Sequence, residues 1–141
     1  MFAIAVLVPA TSWACSFKHR TLEEVFAQAT TVYRARLVEA KLVNFKDPMG
    51  SGQQAEIVEG KFVVQDVFKG KPPANGIVRD LPFGPGNCSL GLLPGWEYIF
   101  IPDENGFVLL PSGSFSFLNP DAPEARAMLE QLHSLGKRLS Q

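Results

Sequence analysis

The alternation of apolar and polar residues predicts one helix near each end of the chain. Thr21 and Glu24 form the Thr-x-x-Glu pattern of a capping box, so a helix of about ten residues should follow Thr21. A second helix is expected to begin near Pro123 and to end near Leu135. Its apolar residues form one stripe that can pack on a sheet: Met128, Leu129, Leu132 and Leu135.

Between the two helices, apolar residues recur at every second position, a period typical of β-strands. Strands are predicted at residues 32–43, 55–68, 77–81, 96–102 and 107–110. Asn105-Gly106 predicts the tight turn between the last two, because these residues tolerate a positive φ. The expected fold is mainly β: a small, closed, OB-like barrel of about five strands, flanked by the two helices. An open antiparallel sheet with helices on one face is the alternative.

Composition and charge limit the classes of function. The 141 residues are enough for one domain, and no internal repeat or low-complexity tract divides residues 15–141. The formal net charge is −1, so no strong attraction to nucleic acid or to anionic membranes is expected. The aromatic side chains that could stack bases on an OB-like barrel mostly fit core positions instead. We therefore expect no nucleic-acid partner.

The first fourteen residues predict an export signal. Residues 2–8 are an uninterrupted apolar run, and Ser12-Trp13-Ala14 places small residues where signal peptidase recognises them, just before Cys15. The run is shorter than the roughly 20 residues that span a bilayer. Cleavage before Cys15 would give a secreted protein, extracellular or periplasmic, without stable membrane insertion. No Lys or Arg precedes the run, which leaves room for a true start upstream of Met1.

Two other interpretations of this N-terminal stretch stay open. A lipoprotein signal would also be cut before Cys15, although Ser12 stands where such signals normally carry an aliphatic residue. A retained N-terminal strand would explain the same short apolar run. Each alternative changes what is attached to Cys15, and so whether its amino group is free.

The chain contains only two cysteines, Cys15 and Cys88. In an exported protein the oxidising surroundings make a disulfide between them the expected state. Closing a loop of this length stabilises a fold by roughly 4 kcal/mol in the chain-entropy model. Two free thiols are the alternative.

Several blocks of sequence follow Cys15 in a recognisable order. They are a short helix, Val32-Tyr33-Arg34-Ala35-Arg36-Leu37-Val38, Val63-Val64-Gln65-Asp66-Val67-Phe68-Lys69-Gly70, Asn87-Cys88-Ser89 and Pro94-Gly95-Trp96-Glu97-Tyr98-Ile99-Phe100-Ile101. This succession resembles the N-terminal domain of the tissue inhibitors of metalloproteinases, and the wider netrin-like module class, over nearly all of residues 15–118. The resemblance implies a five-stranded OB-type barrel and a disulfide between Cys15 and Cys88.

The resemblance also implies a function for the mature N-terminus. In that family the free α-amino nitrogen and the carbonyl oxygen of the first residue, here Cys15, chelate the catalytic zinc of a protease. Ser16 would enter the primary specificity pocket, and Phe17 would continue the inhibitory segment. The chain itself would hold no metal and no cofactor, because the zinc belongs to its expected partner, a zinc metalloprotease. We expect the inhibitor to be a monomer.

This segment departs from the family pattern at two points. Phe17 stands where a second cysteine is usual, and the position of that cysteine's partner, near Gly113, is not a cysteine either. Lys18-His19-Arg20 replaces the prolines that commonly stiffen the segment. The joint loss of both cysteines indicates a simplified variant of the fold that has a single disulfide.

No residues are arranged for catalysis, so we expect that the protein is not an enzyme. His19 and His133 are the only histidines, and neither has a ligand at metal-site spacing. The carboxylates are scattered and form no pair for acid–base chemistry. Gly84-Pro85-Gly86 is not followed by a predicted helix, as a phosphate-binding loop would be.

Two hypotheses of function remain. The first is a secreted metalloendopeptidase inhibitor of the kind just described. The alternative is a non-inhibitory, secreted, netrin-like binding module that contacts a protein or a cell-envelope component. The inhibitor requires residues 15–20 to be free and exposed, whereas the binding module tolerates a buried or lipid-modified N-terminus.

Overall fold

Two helices and five strands make up the described part of the chain. The computed structural model describes residues 15, 17–46, 52–117 and 119–141; the predicted leader, residues 1–14, and the predicted specificity residue Ser16 lie outside these ranges. The elements in chain order are α1 (Leu22–Gln28), β1 (Val32–Lys46), β2 (Gln54–Lys69), β3 (Asn75–Asp80), β4 (Glu97–Phe100), a short 3₁₀ helix (Leu110–Ser112), β5 (Phe115–Phe117) and α2 (Pro123–Leu139).

The strands form one antiparallel sheet in the order β3-β2-β1-β4-β5. β1 and β2 are a long hairpin, in which Val32 pairs with Lys69 at one end and Lys46 pairs with Gln54 at the other. Of β1, only residues 33–36 pair with β4, and of β2, only residues 58–63 pair with β3. The far end of the hairpin, residues 43–46 and 54–57, therefore extends beyond the rest of the described sheet.

The sheet is not closed, so the predicted closed barrel is not supported, and the open antiparallel sheet is what the chain forms. One isolated parallel bridge, between Arg79 and Phe107, links β3 to the stretch that follows β4. In it, Arg79 N donates to Gly106 O at 2.8 Å, and Val108 N donates to Arg79 O at 2.9 Å. A turn at residues 103–106 precedes the bridge and the 3₁₀ helix follows it, so too little extended chain is left for a ladder.

The last strand lies elsewhere than predicted. The prediction of a strand at residues 107–110 is wrong, because Phe107 makes only the bridge and Leu110 begins the 3₁₀ helix. β5 lies instead in a stretch that the sequence predicts to be a connection. Pro111 and Gly113, whose φ is 95°, interrupt the extended chain just before β5. The strand that remains has three residues, too few to show a period of two.

Both predicted helices are confirmed, with shifted ends. Thr21 Oγ1 accepts from Glu24 N at 3.2 Å and Glu24 Oε2 accepts from Thr21 N at 2.8 Å, which is the predicted capping box. α1 is only 7 residues long, because Ala29 is already extended. α2 continues to Leu139, and Lys137 and Arg138 in its last turn interact favourably with the helix dipole.

Two apolar cores lie on opposite faces of the sheet. Along β4 and the residue after it, Tyr98 and Phe100 belong to one core and Ile99 and Ile101 to the other, as the alternation of a strand requires. The helix-covered core contains Ile99 and Ile101 and is covered by buried residues of α1 and α2. The loop-covered core contains Tyr98 and Phe100 and is covered instead by irregular chain, from which Leu92 contributes.

Candidate functional site

Cys15 and Cys88 form a disulfide, as predicted. Their Cα atoms are 5.2 Å apart, and the two residues are 73 positions apart in the sequence. Cys15 is half-buried, whereas Phe17 is 49% exposed and Lys18 and His19 are exposed. The expectation that residues 15–20 are free and exposed therefore holds for Phe17, Lys18 and His19 only, because Cys15 is half-buried and bonded to the body of the protein and Arg20 is partly buried.

Cys88 lies in the connection between β3 and β4, which we call the Cys88 loop, residues 81–96. The carboxylate of Asp80, the last residue of β3, is fully buried and holds this loop. Its Oδ1 accepts from the backbone N–H groups of Leu81 at 2.8 Å and Leu90 at 3.1 Å. Its Oδ2 accepts from Ser89 Oγ at 3.0 Å and Gly91 N at 2.8 Å. Leu81, before Cys88, and residues 89–91, after it, are therefore all bonded to the one side chain of Asp80.

The electrostatics of Asp80 follow from its burial. Burial raises the pKa of the Asp80 carboxyl, and the hydrogen bonds from Gly91, Leu90, Ser89 and Leu81 act in the opposite direction. A buried acid with this many donors is costly to replace, because every donor would lose its partner. We interpret Asp80 as the structural centre of the Cys88 loop and not as an acid–base group.

Tyr98 holds the second part of the Cys88 loop. Its hydroxyl accepts from Leu93 N at 2.8 Å and donates to Gly91 O at 2.9 Å. The ring lies in the loop-covered core and is stacked on Phe100, with centroids 5.2 Å apart. Burial raises the pKa of the Tyr98 hydroxyl, so it stays protonated and can donate. The loop is therefore fastened to the sheet on both sides of Gly91.

A further bond connects Cys88 to the 3₁₀ helix. Leu110 N donates to Cys88 O at 3.0 Å. The residue after Leu110, Pro111, offers its carbonyl oxygen to Arg20 Nη2 at 2.7 Å. The other terminal nitrogen of the same guanidinium, Arg20 Nη1, donates to Gln28 Oε1 at 2.7 Å. Cys15 and Arg20 are thus both attached to one region of the protein, at either end of what we call the N-terminal segment, residues 15–20.

An apolar groove of about 420 Å³ lies on the Cys88 loop. Three of its large apolar side chains are exposed: Phe83 is 91% exposed, Leu93 is 49% exposed and Trp96 is 37% exposed. Ser89, which follows Cys88, lines the same groove. Exposed apolar groups that cluster in this way are typical of surfaces that contact other molecules.

The charged residues on β1 and β4 form a separate, internally satisfied cluster. Arg34 Nε donates to Glu97 Oε2 at 2.8 Å, and Arg36 Nη2 donates to Glu97 Oε1 at 3.1 Å. Burial opposes ionisation of Glu97, but the two guanidinium groups, with Gln65, hold the pKa of its carboxyl below the usual value. Glu97 is therefore a paired structural acid.

The described residues contain no group of three or more His, Cys, Asp and Glu side chains that could hold a metal ion. His19 is exposed. His133 Nε2 lies 2.8 Å from Asp66 Oδ2, and its ring packs against Phe68 with centroids 4.8 Å apart. Neither helix in the described part of the chain is long and apolar enough to cross a membrane.

Sequence reasoning missed three of the residues that shape this region. Asp80, Arg20 and Phe83 stand out only once the chain is folded, because their roles depend on partners far away or on a loop path. The one local signal was Phe83 itself, an apolar residue inside Pro82-Phe83-Gly84-Pro85-Gly86, where a loop is expected to be polar.

The sequence matches no protein-family model and no curated protein. The resemblance to the tissue inhibitors of metalloproteinases therefore stays a prediction, carried by the residues quoted for it.

Proposed function

We propose that this chain is an exported inhibitor of zinc metalloendopeptidases and not an enzyme. The leader is cleaved before Cys15 in this proposal, and the Cys15 α-amino nitrogen and carbonyl oxygen then chelate the zinc of the protease. Ser16 occupies the specificity pocket, and Phe17 continues along the cleft. One observation carries the proposal: Cys15 is bonded to Cys88, in a loop that Asp80, Tyr98 and Leu110 hold in place.

Rigid attachment is what a small chelating group requires. A catalytic zinc keeps one coordination position for water, which a bidentate nitrogen–oxygen donor can displace. The binding free energy of so few atoms is limited, so the segment has to be ordered already in the free inhibitor. The disulfide lowers the conformational entropy that the segment loses on binding, because it fixes Cys15 to the body of the protein.

The proposed chelation depends on a free amine and is therefore sensitive to pH. Only the unprotonated amine binds a metal, and an α-amino group has a reference pKa of about 7.7–8.0. Affinity should therefore increase by up to roughly tenfold per pH unit below this pKa and level off above it.

The test compares protein that begins at Cys15 with protein extended by a single alanine, which converts the amine into an amide. Both forms keep the disulfide, and equal thermal unfolding of the two is the control. Inhibition of a panel of zinc endopeptidases by the first form alone supports the proposal. Equal inhibition by both forms, or inhibition that does not change with pH, contradicts chelation by the Cys15 amine.

The second candidate is the non-inhibitory, secreted, netrin-like binding module that contacts a protein or a cell-envelope component. The exposure of Phe83, Leu93 and Trp96 around the groove on the Cys88 loop favours it. If neither form inhibits any protease of the panel, this candidate becomes the better one. It then requires that Phe83→Ser weakens binding to the partner, while addition of alanine before Cys15 has no effect.

A further inference from the structure

We infer that Arg20 is the second anchor of the N-terminal segment, and so a positioning residue for the proposed inhibitory group; this inference rests on the proposed function. The segment is bonded to the protein at Cys15 by the disulfide and at Arg20 by two hydrogen bonds. Between the two anchors the structure describes Phe17, Lys18 and His19, all of them exposed.

The two anchors share one support. Cys15 is bonded to Cys88, whose carbonyl oxygen accepts from Leu110 N. Arg20 donates to the carbonyl oxygen of Pro111, the residue next to Leu110. The disulfide, Cys88, Leu110, Pro111 and Arg20 therefore connect the two ends of the segment to each other through the body of the protein. A short stretch that is held at both ends on one support loses far less conformational entropy when it binds than a stretch held at one end.

A second anchor has to be non-covalent in this chain. The two cysteines are bonded to each other, so none is left to tie the segment at another point. Gly113, next to the 3₁₀ helix, has a φ of 95°, and a Cβ placed there would run into the side chain of Val25. A larger residue at this position would be strained, so no side chain at position 113 can hold the segment, and the bond that does is the one from Arg20 to the carbonyl of Pro111.

The shape of the arginine side chain suits this task. Its two terminal nitrogens each donate at 2.7 Å, one to Gln28 Oε1 in α1 and one to Pro111 O in the 3₁₀ helix. A planar guanidinium holds two such donors in a fixed relative geometry, whereas a lysine ammonium is a single point. Arg20 also lies directly before Thr21, the N-cap of α1, so the end of the segment is fixed to the start of the helix.

The experiment uses protein that begins at Cys15 and compares Arg20→Ala and Arg20→Lys with wild type. Lys71→Ala is the matched control, because it removes an exposed cation remote in sequence from the segment. Backbone ¹⁵N order parameters of residues 17–19 report the order of the segment, and thermal unfolding reports the fold. Association and dissociation rates with an inhibited protease report the positioning.

In wild type and in Lys71→Ala, order parameters near the rigid value of about 0.85 are expected for residues 17–19. In Arg20→Ala they should fall below about 0.6, and inhibition should weaken about tenfold, at an unchanged unfolding temperature. Arg20→Lys should lie between the two, since its single nitrogen lacks the two separate, rigidly spaced donors of the guanidinium.

Unchanged order of residues 17–19 in Arg20→Ala overturns the inference, and so does a loosened segment with unchanged inhibition. If the wild type inhibits no protease, the proposed function fails, and the order parameters still decide whether Arg20 anchors the segment. If Arg20→Ala does not fold, Gln28→Ala provides the second test, because it removes one acceptor and leaves the segment intact. A segment as ordered in Gln28→Ala and Arg20→Lys as in wild type then contradicts the inference.

Discussion

The two faces of the sheet are stabilised in different ways. The helix-covered core is closed by α1 and α2, which contribute apolar side chains such as Phe26 and Leu132. The loop-covered core is closed by irregular chain, and the Cys88 loop over it is held by the Asp80 carboxylate, the Tyr98 hydroxyl and the disulfide. Apolar contacts are non-directional, whereas hydrogen bonds fix positions. The candidate site lies where the directional interactions are.

The largest expected effect is on the helix-covered core. Leu132 is fully buried between α2 and the sheet, and Leu132→Ala leaves a cavity that should lower the free energy of unfolding by about 3 kcal/mol. Urea unfolding measures the change. Leu139→Ala, at a residue of the same helix that is 54% exposed, is the control and should change stability little. Selective loosening of the Cys88 loop by Leu132→Ala would contradict the division between the two faces.

A smaller and more local effect is expected at Asp80. Asp80→Ala leaves four donors without their acceptor and should cost about 2 kcal/mol. Amide hydrogen exchange at residues 89–91 should become faster by a larger factor than exchange in α2. Asp121→Ala is the matched control, because Asp121 is exposed. Uniform acceleration across the whole protein would show that Asp80 supports the fold and not the loop in particular.

The smallest effect is expected from the charged cluster on β1 and β4. Because the pKa of Glu97 is lowered in the folded state, ionised Glu97 stabilises the fold above the usual glutamate pKa of about 4.3. This stabilisation is lost as the pH falls through the lowered pKa. The advantage of wild type over Glu97→Gln, about 1 kcal/mol at pH 7, should therefore disappear in acid. Thermal unfolding at a series of pH values measures it, with Glu130→Gln, at an exposed residue in the middle of α2, as control.

Much of the fold could be predicted from local patterns. The capping box at Thr21 and Glu24, the amphipathic stripe of α2 and the alternation in β1 and β2 each depend on residues close together in the sequence. The predicted disulfide is confirmed as well, because two cysteines allow only one intramolecular pairing. The closed barrel is not supported, and the prediction of a strand at residues 107–110 was wrong. Both depend on how a turn and a 3₁₀ helix direct the chain past β3.

The support of the candidate site could not be predicted. Arg20 and Pro111 are 91 positions apart in the sequence, and nothing in either residue type indicates the other. Asp80 and Gly91 meet only because the Cys88 loop returns to the end of β3. Phe83 belongs to a loop whose path decides its exposure.

The sequence by itself determined the helices, most of the strands and the pairing of the cysteines, because each follows from short-range backbone preferences or from simple counting. Only the tertiary structure decided that the sheet stays open, that Asp80 holds the Cys88 loop and that Arg20 reaches the 3₁₀ helix. The physical reason is that a hydrogen bond requires its donor and acceptor within about 3 Å, and the path of the whole chain sets that distance.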